Sequence, residues 1–282
     1  MRIGVIGGSG VYQVEGLEDV RESRVDTPFG APSDVLVHGR LGAAELVFLP
    51  RHGRGHRLNP SEVNYRANVW AMRQADVHWL ISVSAVGSLQ EHIAPGDVVL
   101  VDQFIDRTFR RAATYCEDGL VAHVPFADPV CRTLRGWLLE SARACGANTH
   151  DGGTYVCMEG PQFSTKAESA LHRAWGAAVV GMTNMPEAKL AREAGMSYAS
   201  LAMATDYDCW HPHHDAVTIE QVLSVAHANA ALAKRILRDV APRIAAHGLP
   251  SPMRGVLGRS ILTAPERIPD AARARLSLLL EG

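Results

Sequence analysis

The chain has 282 residues, with 28 Lys and Arg against 30 Asp and Glu and a formal net charge of −2. That length fits one large α/β domain or two modest ones, since single cores stop growing near ~250–300 residues; 47% hydrophobic and 21% charged residues exclude the disordered and fibrous classes. The near-neutral balance gives no footprint for nucleic acid, no basic run suggests a membrane surface, and no stretch approaches the ~18 apolar residues of a membrane span.

Residues 2–6 are predicted as a strand, entered with no signal-peptide pattern and ending in Gly7-Gly8-Ser9-Gly10. Residues 35–37 and 45–49 flank Gly39 and Gly42 like a hairpin. Residues 60–74 have a helical period, with Val63, Ala67, Trp70 and Ala71 on one face. Buried-type strands follow at 79–85 and, after the turn Pro95-Gly96, at 98–104. The next helix spans 129–144, with Asp128 as N-cap, Pro129 in its first turn and Gly146 past its end. A strand at 154–158 leads to Glu159-Gly160-Pro161, and Thr165 and Glu168 have capping-box spacing. A strand at 178–181, a helix at 186–194, a strand at 198–204 and a long helix at 218–246, which Pro242 is placed to kink, complete the pattern.

No internal repeat or linker divides the chain, so 1–282 reads as a single α/β domain. Its expected core is a central, mixed but mainly parallel sheet flanked by helices. Five cysteines, Cys116, Cys131, Cys145, Cys157 and Cys209, form no CxxC pair. They read as free thiols of a reducing cytoplasm.

Ligands bind such sheets beyond the carboxyl ends of the strands, where this chain concentrates its polar residues. Ser9 sits among three glycines, either as a plain tight turn or as a loop whose amides approach an anion. No GxGxxG opens a helix there and no Gly-Lys-Ser/Thr follows, so neither a dinucleotide nor a Walker site is indicated. Arg51 and His52 end the next strand, and a guanidinium there can grip an oxyanion with two hydrogen bonds. Ser84 ends another strand before the small turn Ala85-Val86-Gly87-Ser88. Hydroxyls, amides and an Arg at three strand ends suit free phosphate without a metal. Asp206 and Asp208 follow an apolar run and read either as solvated loop acids or as carboxyls with raised pKa values able to act as general acids. Phe163 can be core or can stack on a base. His211, His213 and His214 lack a Cys partner and offer one i+3 pair, which argues against a metal.

Several motifs in order carry a resemblance. They are Gly7-Gly8-Ser9-Gly10, Asp26-Thr27-Pro28-Phe29-Gly30, Arg51-His52-Gly53-Arg54, and Asn64-Tyr65-Arg66-Ala67-Asn68. Met158-Glu159-Gly160-Pro161-Gln162-Phe163-Ser164-Thr165, Gly181-Met182-Thr183 with Pro186-Glu187, and Ala204-Thr205-Asp206-Tyr207-Asp208-Cys209-Trp210 follow. Together, from residue 3 to about 240, they resemble the 5′-methylthioadenosine phosphorylases of the purine nucleoside phosphorylase family; the tail at about 250–282 matches poorly. The resemblance implies the nucleoside phosphorylase fold, a cytoplasmic homotrimer or dimer of trimers, and phosphorolysis of methylthioadenosine in purine and methionine salvage. Inorganic phosphate would be the co-substrate, with no cofactor and no metal. It further implies phosphate contacts from Ser9, Arg51, His52, Ser84, Ala85 and Thr183, and a ribose contact from the Met182 backbone. Phe163 would line the base pocket, Asp206 and Asp208 would face the purine, and Ser164 and Ile219 would shape substrate choice. His56 and His123 would lie near the phosphate or the 5′ substituent, His123 lent by a neighbouring subunit. Gln162 stands where many relatives carry Arg, Ser9 and Ser84 replace threonines, and Asn184 stands where Thr is frequent.

Two carboxylates suit a 6-aminopurine, because the N6 amino group is a donor, whereas a 6-oxopurine would suit an amide better. The alternatives are a 6-oxopurine nucleoside or methylthioinosine phosphorylase, a hydrolytic nucleosidase, and a nucleoside-binding protein without turnover.

Overall fold

In the computed structural model, which describes residues 2–8, 10, 14–211 and 219–280 (of 219–224 the backbone alone), apolar runs and helices alternate as expected. The chain opens with β1 (Arg2–Gly7), β2 (Glu18–Ser23) and the hairpin β3 (Leu36–Leu41) and β4 (Ala44–Pro50). The two-residue turn of that hairpin takes a positive φ at Gly42, which glycine adopts without a Cβ clash. Helix α1 (Tyr65–Gln74), the long β5 (Val77–Ser88), β6 (Val98–Leu100), β7 (Gln103–Arg107) and α2 (Arg132–Ala144) follow. Then come β8 (Thr149–Asp151), β9 (Thr154–Met158), α3 (Lys166–Ala174), β10 (Val179–Gly181), α4 (Asn184–Glu193) and β11 (Ser197–Asp206). Helices α5 (Ile219–His247), α6 (Asp270–Arg275) and α7 (Ser277–Leu280) close the chain.

All 11 strands join one mixed sheet in which parallel pairs predominate. Successive residues of β5 alternate between two cores, as a pleat requires. Leu80 packs with Val69 and Met72 of α1 and Ala188 and Leu190 of α4. Trp79, Ile81 and Val83 pack with Leu134 and Leu138 of α2 and Ile236 and Val240 of α5. Helices thus cover both faces. The tail belongs to the first core, through buried Leu257, Ile268, Ala272, Leu276 and Leu279.

The pairing of β5 determines where a site can form. β11 follows β5 from Trp79 to Gly87 along one edge. On the other edge β1 accompanies it only as far as Ser82, and β10 arrives, antiparallel, only at Gly87 and Ser88. Residues 83–86 therefore have no strand partner on that edge among the described residues, and the sheet parts there.

Several boundaries differ from expectation for local reasons. β5 continues through Ser88 rather than turning at Ala85, because β11 keeps pairing with it. The strand expected at 98–104 breaks into β6 and β7, which pair with different neighbours, β8 and β9. Helix α1 begins at Tyr65, where the Asn64 side chain accepts the Ala67 N–H at 3.1 Å. Asp128 does not cap α2. Cys131 occupies that position without a side-chain bond, and Asp128 pairs with Arg132 instead. The capping box at Thr165 and Glu168 forms as its spacing predicts. Pro242 lies inside α5, which runs on as one helix.

Candidate active site

The parting of the sheet opens into a cavity of about 610 Å³. Gly8 after β1, Arg51, His52 and His56 after β4, and Ser84 and Ala85 of β5 form one end of its wall. Phe163 and Ser164 after β9, Met182 and Thr183 between β10 and α4, and Asp206 and Asp208 at the end of β11 supply the rest. Most of the expected residues are therefore brought together. Ser9, His213, His214 and the side chain of Ile219 lie outside the described residues. His123 is exposed and does not line the cavity; its amide donates to Ser260 O in a different region.

Three hydroxyls meet at one wall. Ser84 Oγ lies 3.1 Å from Tyr155 Oη and 3.2 Å from Thr183 Oγ1. Thr183 is the N-cap residue of α4 but makes no side-chain cap bond, so its hydroxyl is available to the cavity.

Arg51 corrects an expectation. The fork expected to grip an oxyanion is turned inward onto Glu187 of α4, Nε to Oε2 at 2.9 Å and Nη2 to Oε1 at 3.2 Å. Nη2 also donates to Ser82 Oγ at 2.7 Å, and Nη1 to Val83 O at 3.1 Å. Both side chains are all but inaccessible, at 2% and 1% exposure. Burial opposes the guanidinium charge, but the Glu187 carboxylate outweighs it and holds Arg51 firmly protonated. One Nη1 hydrogen is left for a ligand among the described residues, so the bidentate grip expected from its strand-end position is replaced by at most a single contact.

His52 Nδ1 lies 2.9 Å from Leu58 O. A carbonyl only accepts, so Nδ1 carries the hydrogen. Burial first, then the adjacent Arg51 charge, push the imidazole pKa down to about 4. His52 is therefore neutral at pH 7, with an unprotonated Nε2 that can accept a P–OH hydrogen but cannot act as a cation. His56 stacks on it, rings 4.3 Å apart. A histidine that protonates at pH 6.5 unfolded but only near 4 folded destabilises the fold as pH falls through that window. The thermal midpoint is expected to drop between pH 6.5 and 4, with His52 contributing on the order of 3 kcal/mol. His38, His78 and His172, also lowered by burial, act in the same direction. Thermal scans of His52→Asn, whose amide can still donate to Leu58 O, should show a shallower acid slope; an unchanged slope refutes the assignment.

At the opposite end, Asp206 Oδ2 receives the Thr205 hydroxyl at 2.7 Å and Oδ1 the Asp208 N–H at 2.8 Å. Burial raises its pKa, outweighing those two donors, and the Asp208 charge adds to the rise. Gly87 lets β5 approach, since a Cβ there would stand 2.8 Å from Asp206 Oδ1. Asp208 is held at φ +51 and is buried. Its Oδ2 has no hydrogen-bond partner among the described residues. A buried acceptor without a donor is costly; Asp208 lines the cavity, and although this oxygen is itself closed off from solvent, a turn of the carboxylate would offer it to a ligand donor. Phe163 is 49% exposed over the cavity, and Ser164 Oγ lies 3.5 Å from Met158 Sδ.

Sequence reasoning assigned no role to two groups that hold this wall. Glu187 had only motif membership to mark it, and an acid on the inner face of α4 was the available signal. Arg111 carried no signal at all. Its buried guanidinium donates to Met182 O and Met185 O, each at 2.6 Å, to Glu159 O at 2.6 Å and to Glu159 Oε1 at 3.2 Å. The carbonyl of Met182, expected at the ribose, is thus already fixed from behind.

A family model described as the phosphorylase superfamily matches residues 2–242. S-methyl-5′-thioadenosine phosphorylase of Geobacter sulfurreducens is 54% identical over 279 residues, covering 99% of this chain and 97% of that protein. The protein of that name from Chloroflexus aurantiacus is also 54% identical, covering 98% and 96%. Among solved structures, a methylthioadenosine phosphorylase from an antarctic soil metagenomic library superposes with a TM-score of 0.94 at 45% identity, covering 99% of this chain and 98% of that one. Methylthioadenosine phosphorylase from Schistosoma mansoni, in complex with tubercidin, gives 0.85 at 37% identity, covering 94% and 100%.

Proposed function

The chain belongs to the phosphorylase superfamily, and from that premise we propose that it cleaves S-methyl-5′-thioadenosine with inorganic phosphate to adenine and 5-methylthioribose 1-phosphate, as a pentosyltransferase. The observation that carries this reading is the polarity of the cavity. Hydroxyls of Ser84 and Thr183 lie together, and farther along β5, where Gly87 pairs with Asp206, a carboxyl raised by burial stands beside Asp208, whose Oδ2 has no partner among the described residues. Breaking the C1′–N9 bond leaves positive charge on the sugar and sends the electron pair to the purine. A phosphate oxygen at the hydroxyl end bonds to C1′ and stabilises the first charge; Asp206 gives its proton to N7 and neutralises the second. The Asp208 carboxylate, turned toward the base, accepts from the N6 amino group, which favours 6-aminopurines over 6-oxopurines. Ser9, Ser84, Ala85, Thr183 and the remaining Nη1 hydrogen of Arg51 hold the phosphate, with His52 accepting its P–OH. Phe163 covers the base, Met182 lines the ribose, and Ser164 and Ile219 shape substrate choice.

Activity is expected to depend on phosphate and on no added metal. Adenine release from methylthioadenosine should survive dialysis against a chelator and vanish when phosphate is removed; equal release in phosphate-free buffer would mean a nucleosidase. We further propose a cytoplasmic homotrimer. The free thiols support a reducing compartment. Val121 and Leu262, hydrogen-bonded neighbours that both expose apolar side chains beside His123, support a subunit contact through which His123 would reach a neighbour's site, while His56 serves its own.

A further inference from the structure

Tyr155 is fully buried on β9, does not line the cavity, and nonetheless controls a hydroxyl that does. Its ring lies edge-on to Phe104, centroids 5.7 Å apart. Among the described residues the Tyr155 hydroxyl has one hydrogen-bond partner, Ser84 Oγ at 3.1 Å. Either hydroxyl could donate in that pair, but a buried phenol needs an acceptor and Tyr155 has no other, whereas Ser84 has two, so the Tyr155 hydrogen is assigned to Ser84 Oγ. Ser84 Oγ, accepting there, has one hydrogen to give and three directions for it: Thr183 Oγ1 at 3.2 Å, Ala85 O at 3.3 Å, or an anion in the cavity. Without the Tyr155 hydrogen, that hydroxyl loses the contact that fixes its acceptor side and is free to turn. The chain also makes room for the arrangement. Gly181 of β10 crosses directly over the tyrosine, and a Cβ there would lie 2.0 Å from its oxygen.

We infer that Tyr155 is a positioning residue for phosphate, acting through Ser84 to keep the Ser84 and Thr183 hydroxyls turned toward the anion. The inference rests on the phosphorolytic reading above. It is tested on the full chain with Tyr155→Phe, Ser84→Ala and the double variant. Michaelis constants for phosphate and methylthioadenosine are measured separately, and the thermal midpoint is followed as phosphate is titrated without nucleoside. Tyr155→Phe should raise the phosphate constant about fivefold to tenfold, the size of one hydrogen bond, and leave the nucleoside constant within about twofold. The phosphate concentration giving half the thermal stabilisation should rise by the same factor. In the Ser84→Ala background the Tyr155 substitution should add less than about twofold, because two groups acting through one hydroxyl are not additive. A phosphate constant within about twofold of the parent, equal rises in both constants, or a full Tyr155 effect without Ser84 would each overturn the inference. A parent chain that releases adenine equally well without phosphate removes the phosphorolytic reading, and the inference with it.

Discussion

Asp206→Asn should lower kcat/KM for methylthioadenosine by about 10²- to 10⁴-fold, the usual loss when one positioned general acid is removed. The amide is nearly isosteric: its oxygen can still accept the Asp208 N–H, and its NH₂ can donate to the Thr205 oxygen while that hydroxyl turns its hydrogen to Val86 O, so the fold should be kept while the transferable proton is lost. The raised pKa of Asp206 gives the substitution a second signature. In the proposed mechanism the protonated carboxyl is the active form, and it is depleted as pH rises through the raised value. The parent should therefore lose kcat as pH rises through that value, a limb that the variant lacks. Both readouts come from steady-state adenine release across pH. Each oxygen of Asp206 already receives one hydrogen bond, whereas Asp208 Oδ2 receives none among the described residues. Discrimination between 6-amino and 6-oxo substrates is accordingly assigned to Asp208, and Asp206→Asn should depress both substrate classes by similar factors. An inosine-type substrate that falls far less than the adenosine type would return the reading of the base to Asp206. If neither falls, the general-acid assignment is wrong.

Arg51→Ala should act on the whole fold before it acts on phosphate. Removing one member of a buried ion pair costs about 3–5 kcal/mol, because the other is left uncompensated. In a chain of this size that lowers the thermal midpoint by on the order of 10 °C. Glu187 would keep Tyr198, whose hydroxyl donates to Oε1 at 3.0 Å, but would lose its guanidinium. Replacing both members by apolar residues of similar volume is often close to neutral, so Arg51→Met with Glu187→Leu should recover most of the stability. The double variant then separates the two roles of the guanidinium. Restored stability with a raised Michaelis constant for phosphate confirms the single Nη1 contact, while restored stability with an unchanged constant assigns Arg51 to structure alone. A midpoint within about 2 °C of the parent for Arg51→Ala would show that the pair does not hold β4 to α4.

The sequence displayed the strands at 2–6, 154–158 and 198–204 well, because each is an apolar run between turn residues. It concealed the small edge strands. β2, Glu-Asp-Val-Arg-Glu-Ser, is almost wholly exposed, and its pairing with β3 is what makes it a strand. The site was legible as a set of polar residues at strand ends, which is how Ser84, Thr183, Asp206 and Asp208 were found. Their direction was not legible. Arg51 at a strand end looks the same whether its fork faces a ligand or Glu187, since the partner sits 136 residues away. Nor could spacing separate Asp206 from Asp208. The difference lies in which carboxylate oxygens receive the Thr205 hydroxyl and the Asp208 amide.

The branched pairing of β5 also bears on how the molecule is made. Its first neighbour, β1, is already present when β5 leaves the ribosome, but its second edge waits for β11, and the bond between Thr205 and Val86 O spans 119 residues. Throughout that interval the longest strand of the sheet carries an apolar, unpaired margin, the kind of template on which nascent chains adhere to one another. The strand that covers it ends in Asp206. During synthesis, protection from aggregation and the arrival of the proposed proton donor are therefore a single event.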